Sequence, residues 1–123
     1  MRRSSLQKMS VDDLVDLFAA IGVAQDDACL EGDTTKYNRL FRKMRAVAEE
    51  LKQRPGDQRR ALHRLYAFDN MQVRLMAAKT TLAIAPIDAR ILLREIADAK
   101  WLVQSLDAGM CLWNLERGVF VPN

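Results

Sequence analysis

The residue types able to do chemistry are few in this chain, and their spacing does not favour it. One histidine, His63, stands between arginines in "RRALHRLY" with no cysteine or carboxylate at ligand spacing, so metal binding is not expected. Cys29 and Cys111 lie far apart, each inside an apolar helical pattern. They read as buried free thiols rather than as a disulfide or as nucleophiles beside a base. Carboxylates come in adjacent pairs, Asp12-Asp13, Asp26-Asp27 and Glu49-Glu50. Neighbours of this kind point to different sides of a helix, and the pairs read as solvated surface charge. The five glycines, Gly22, Gly32, Gly56, Gly109 and Gly118, are dispersed and form no loop that could cradle a phosphate. No cofactor is expected, and an enzyme is the lesser expectation, although catalytic groups gathered from separate helices would escape such a reading.

Charge is more informative. The net charge is only +3, yet residues 9–33 hold seven acidic groups and no lysine or arginine, while residues 36–64 hold ten basic groups against three acidic ones. Helical spacing puts Lys36, Arg39 and Lys43 on one flank of a helix and Arg42 and Arg45 on the other, with Arg59, Arg60 and Arg64 extending the basic region along the next element. Guanidinium forks suit carboxylates and phosphates alike, so these eight residues form a candidate surface for an acidic partner. The competing expectation is that the basic helix pairs internally with the acidic first helix, or is simply solvated.

The elements that must position these groups are helices. Glycine and proline punctuate the chain at Gly32, Pro55-Gly56, Pro86 and Gly118, and each interval carries apolar residues at steps of three and four. The first helix begins at Ser10, a good amino-terminal cap, and runs towards Leu30; the second spans Thr34 to Gln53 with Tyr37, Leu40, Phe41, Met44, Val47, Ala48 and Leu51 on its stripe. Asp57 caps a short third helix, Asn70 caps a fourth, Pro86 opens a fifth that buries Ile87, Ile91, Leu92 and Ile96, and the sixth covers about Ala99 to Arg117. Steps of 33 residues superimpose Leu40, Met44 and Val47 on Val73, Ala77 and Thr80, and these on Leu106, Met110 and Trp113. The two tryptophans, Trp101 and Trp113, read as core.

Asn70, Val73, Arg74, Ala77, Ala78 and Leu82 together resemble the second helix of a HEAT repeat, especially of the phycobilisome-lyase type. The resemblance covers residues 58–98 well, and a small bacterial domain family of unknown function with such a superhelix is similar to the whole chain. It implies an all-α fold, a right-handed α-α superhelix of about three antiparallel helix pairs of the HEAT/armadillo kind. Ala77 and Ala78 would permit close helix approach, Val73 and Leu82 would fill the seam, and Arg74 would clamp an acidic residue or a carbonyl of an adjacent turn. Asp107 and Met110-Cys111 depart from the pattern in the third pair, as a capping repeat with a solvent-facing side would.

One domain over residues 1–123 follows from the length, with residues 1–9 expected as a flexible amino terminus and 118–123 as a carboxy-terminal tail. No signal peptide or membrane span is read, so a cytoplasmic setting without membrane contact is expected. The leading function is a small interaction or regulatory module for a protein partner with an acidic surface. The alternative is non-specific binding of the DNA or RNA phosphate backbone through residues 36–64, with a resemblance to HEAT-like DNA glycosylases as its sharpest form. The oligomeric state is left open, since "GVFVPN" could cover an end face or meet a second chain.

Overall fold

The computed structural model describes residues 3–123. Among them every regular element is helical: α1 (Arg3–Gln7), α2 (Val11–Glu31), α3 (Thr34–Gln53), a 3-10 segment (Gln58–Ala67), α4 (Met71–Thr81), α5 (Pro86–Asp98) and α6 (Leu102–Glu116). Local chemistry sets most boundaries. The Ser10 hydroxyl accepts from the Asp13 amide at 3.0 Å to start α2. Gly32, at φ +69°, ends it in the left-handed conformation, where the amides of Gly32 and Asp33 reach the carbonyls of Cys29 and Ala28. One residue later the Asp33 carboxylate accepts from the Lys36 amide and begins α3, so two long helices are joined by a two-residue turn and pack along one another.

The third helix is 3-10 rather than α. Its buried residues Arg59, Leu62 and Leu65 fall at steps of three, the repeat of a helix with three residues per turn. An α-helix would swing one of them off the face. Asn70 then caps α4 by accepting from the Val73 amide at 3.1 Å. Pro86 stands in the first turn of α5, where its missing amide costs no hydrogen bond.

The core has two parts that share α4. Phe18, Leu14, Leu40, Met44, Val47, Leu51 and Leu62 pack with Val73, Met76 and Ala77 on one side of α4. Leu75, Ala78 and Leu82 on its other side pack with Leu92, Leu93, Ile96, Ala108, Leu112 and Leu115. α4 is therefore buried around most of its circumference, against α2 and the 3-10 segment on one flank and α5 and α6 on the other.

Three expectations need correction. Residues 1–9 were expected to be flexible, yet α1 lies within them and Leu6 is 1% exposed in the first core; residues 1 and 2 of that segment lie outside the described ones. Of the proposed buried side of α5, Leu92 and Ile96 are buried, but Ile87 and Ile91 face outward at 74% and 55% exposure. Trp101 and Trp113 are not core: both are more than half exposed. The cause is common to α5 and α6. Each helix is apolar on two sides, and the side that meets α4 is the other one.

Candidate functional site

α3 presents the basic residues. Burial of Leu40, Met44, Val47 and Leu51 rotates the helix so that Arg39, Arg42, Lys43 and Arg45 are exposed, and none of the four makes an ion pair among the described residues. Lys36 is half-buried and reaches Glu31 at 3.4 Å. The four free cations do not form one patch. Lys43 borders an apolar hollow between α1, α2 and α3 lined by Leu6, Leu17, Ile21 and Ala24. Arg45 borders a groove of about 210 Å³ between α3 and α4, together with Lys52, Arg59, Lys79 and Thr80. Glu49 is the one acidic side chain lining that groove, and Phe120, Pro122 and Asn123 of the tail lie along it.

The remaining basic residues divide. Arg59 is buried and forks onto its neighbour, with Nε 2.9 Å from Asp57 Oδ1 and Nη2 2.7 Å from Asp57 Oδ2. The hydrogen bonds from Arg59 hold the Asp57 carboxyl below its ordinary range and raise the guanidinium in turn. The pair staples the turn after α3, where Asp57 adopts φ +50°. Arg64 pairs with Asp12 of α2. Arg60 is exposed and has no ion pair among the described residues. The acidic helix α2 thus pairs with two of the eight candidates, Lys36 and Arg64, Asp57 takes a third, and five make no ion pair among the described residues.

The repeat residues are placed as follows. Val73, Ala77, Ala78 and Leu82 are buried at 2% exposure or less. Arg74 is not the expected clamp: its Nε is buried with no hydrogen-bond partner, and it makes no ion pair among the described residues. Arg54 holds that role instead. Its Nε meets Glu50 Oε2 at 2.8 Å, while Nη2 donates to the carbonyls of Leu6 at 3.1 Å and Met9 at 2.8 Å, tying α1 to the end of α3.

A buried polar chain escaped sequence reasoning altogether. Gln72 of α4 donates to Gln25 Oε1 of α2 at 3.1 Å and to the Tyr37 hydroxyl of α3 at 3.3 Å, and accepts from Gln104 Nε2 of α6 at 3.0 Å. Asp26 accepts from Gln104 and from Asn70 at its edge. All three glutamines are buried. The available signal was a glutamine at a core position of each of three helices, which only the packing brings together.

Burial pushes both the Cys29 and the Cys111 thiol up, which keeps them protonated and weakly nucleophilic. His63 is exposed, 3.9 Å from Asp88, with its ring against Tyr66. Among the described residues no three histidine, cysteine or acidic side chains converge on a metal-sized point, and no helix is long and apolar enough to cross a membrane.

No curated protein matches this chain. It is similar to a solved structure, that of the protein RPA1889 from Rhodopseudomonas palustris CGA009, with 52% identity over 96% of this chain and 98% of that one and a TM-score of 0.94. A family described as a domain of unknown function, DUF2019, matches residues 12–116, from the first turn of α2 to the last residue of α6. The chain belongs to that family.

Proposed function

We propose that this protein is a small non-catalytic interaction module that takes an acidic segment of a protein partner along α3 and into the groove between α3 and α4. The observation that carries this reading is the set of four exposed cations on one helix, Arg39, Arg42, Lys43 and Arg45, with no ion pair among the described residues, beside a groove that Lys52 also lines and in which Glu49 is the one acidic side chain; Lys79 of that groove is paired with Asp107 at 2.9 Å. Exposed cations without internal partners attract negative charge from both flanks of the helix, and the concave groove beside Arg45 gives the ligand walls to pack on. The order in which the helices pack, α2 with α3, the 3-10 segment with α4 and α5 with α6, supports a short HEAT-like α-α superhelix as the scaffold. Trp101 and Trp113 are on or next to α6 and not among the α3 cations, where the exposed aromatic side chains are Phe41 and Phe120, each 37% exposed; stacking surface this limited favours a protein partner over a nucleic acid.

The test is affinity capture of the tagged chain from native lysate, with and without nuclease, beside the Arg42→Glu/Arg45→Glu variant. Both positions are exposed, so the helical spectrum should be unchanged. The expected result is a protein retained after nuclease and depleted about tenfold or more by the variant, equivalent to at least about 1.4 kcal/mol. Equal capture by the variant would remove the site. Retention of nucleic acid alone, lost on nuclease treatment, would replace the reading with phosphate binding.

A further inference from the structure

α6 carries an outward apolar face, on which the Arg117 guanidinium lies over the Trp113 ring, 5.6 Å from its centroid. Stepping the Leu40, Met44, Val47 stripe by 66 residues reaches Leu106, Met110 and Trp113, and in α3 that stripe is core. In α6 the same register points outward, because the inner side is filled by Gln104, Ala108, Cys111, Leu112 and Leu115. Leu102, Leu106, Met110 and Trp113 of α6, with Ile87 and Ile91 of α5, are each 55–77% exposed. The two helices pack along a seam where Arg94 meets Glu116 at 3.8 Å and the α-carbon of Gly109 faces Ala97.

Together these six residues expose on the order of 800 Å², about what each partner contributes to a standard interface. A helical layer with a polar outer side can remain single; the outer side of α6 is apolar. The ends of α6 differ in a way that selects the occupant. Lys100 and Asp98 precede the helix, and Glu116 and Arg117 end it. If two copies of α6 cross in opposite directions, Lys100 would come beside Glu116 of the second copy and Asp98 beside its Arg117, twice over, adding to the contacts that Glu116 and Arg117 make within their own chain with Arg94 and Trp113. A same-direction crossing would set each charge against its like.

We infer that the outward face of α5 and α6 is the twofold interface of a homodimer, in which Leu102, Leu106, Met110 and Trp113 of one chain pack against the same residues of a second copy running the opposite way. A twofold contact buries the face on both chains at once and leaves no open end for further growth. Met110 shares a hollow with Lys79 and Phe120 at the edge of the α3–α4 groove, whereas Leu106 lines neither, so a substitution at Leu106 tests this inference apart from the proposed function.

Sedimentation equilibrium of the full chain, from low to high micromolar concentration, tests it beside Leu106→Glu, with far-ultraviolet circular dichroism and a melting curve to show that the exposed substitution leaves the fold intact. A dimer is expected for the wild type, with its Kd raised on the order of a hundredfold by Leu106→Glu. Lys100→Glu should weaken the dimer several-fold, and adding Glu116→Lys should restore it. A monomer at every concentration, or a dimer indifferent to Leu106→Glu, would overturn the inference; failure of the exchanged charges to restore association would overturn the opposed crossing.

Discussion

Gly22 marks the closest approach of α2 to α4. A Cβ built there would lie 2.8 Å from Val73 Cγ2 and 3.2 Å from Val73 Cα, so relief would require movement of a stiff branched side chain and of the α4 backbone. Alanine is the better helix former by about 1 kcal/mol, but overpacking a close contact costs roughly 1–3 kcal/mol. Gly22→Ala should therefore lower stability, and a urea titration reads the sign directly: a raised midpoint would show that the helices separate at little cost. Small residues at a helix contact were legible in the sequence as Ala77 and Ala78, which are fully buried. That Gly22 shares the task was not, because its partner is 51 residues away. The arginine clamp shows the same limit. Its chemistry, a guanidinium on backbone carbonyls beside a carboxylate, is the one expected of Arg74, but Arg54 performs it. Which arginine reaches a set of free carbonyls depends on where α1 lies, and α1 was not anticipated.

At the scale of the element, caps and breakers were the most readable signals. Ser10, Gly32, Asp33, Asp57, Asn70 and Pro86 stand at the boundaries that their chemistry implies. Asn70 is the cap on which most depends, since α4 is shared by both halves of the core. Its Oδ1 accepts from the Val73 amide, and its Nδ2 donates to Asp26 Oδ2 at 3.3 Å. Asn70→Ala should cost about 1 kcal/mol by thermal or urea unfolding. Asn70→Asp separates the two contacts, because it keeps the cap and sets a carboxylate against Asp26. Like charges raise the pKa of the pair in the folded state, so the folded form binds protons more readily than the unfolded one. The deficit of Asn70→Asp should then shrink as pH falls into the carboxylate range, whereas that of Asn70→Ala should not change by this route. What the elements concealed was the choice of face. α3 has one apolar side and its core was read correctly at Leu40, Met44, Val47 and Leu51; α5 and α6 have two, and periodicity alone cannot say which one meets α4.

The whole molecule is two apolar clusters joined through one helix and one chain of glutamines. α4 gives Val73, Met76 and Ala77 to the first cluster and Leu75, Ala78 and Leu82 to the second. Beside it Gln72 links Gln25 and Tyr37 on the first side to Gln104 on the second. Such a chain is stable only when complete, because each buried amide left without its partner costs about 1–3 kcal/mol. Gln72→Leu keeps the volume and removes the link: Gln25 Oε1 and the Tyr37 hydroxyl lose their donor, and Gln104 keeps only its 3.5 Å contact to Asp26. Both tryptophans, Trp101 and Trp113, belong to the α5–α6 half, while α1, α2, α3 and the 3-10 segment hold most of the helical residues. Tryptophan fluorescence therefore reports the second cluster, and far-ultraviolet ellipticity is weighted to the first. In urea the two transitions should coincide for the wild type. In Gln72→Leu the fluorescence transition should move to lower urea and precede the loss of helix, because α6 then loses its buried polar link to α2 and α3, and α5 and α6 hold to α4 through apolar contacts and the Lys79–Asp107 pair. If both signals shift together by the same amount, the shared faces of α4 suffice to make the molecule cooperative, and the glutamines contribute stability without coupling the halves.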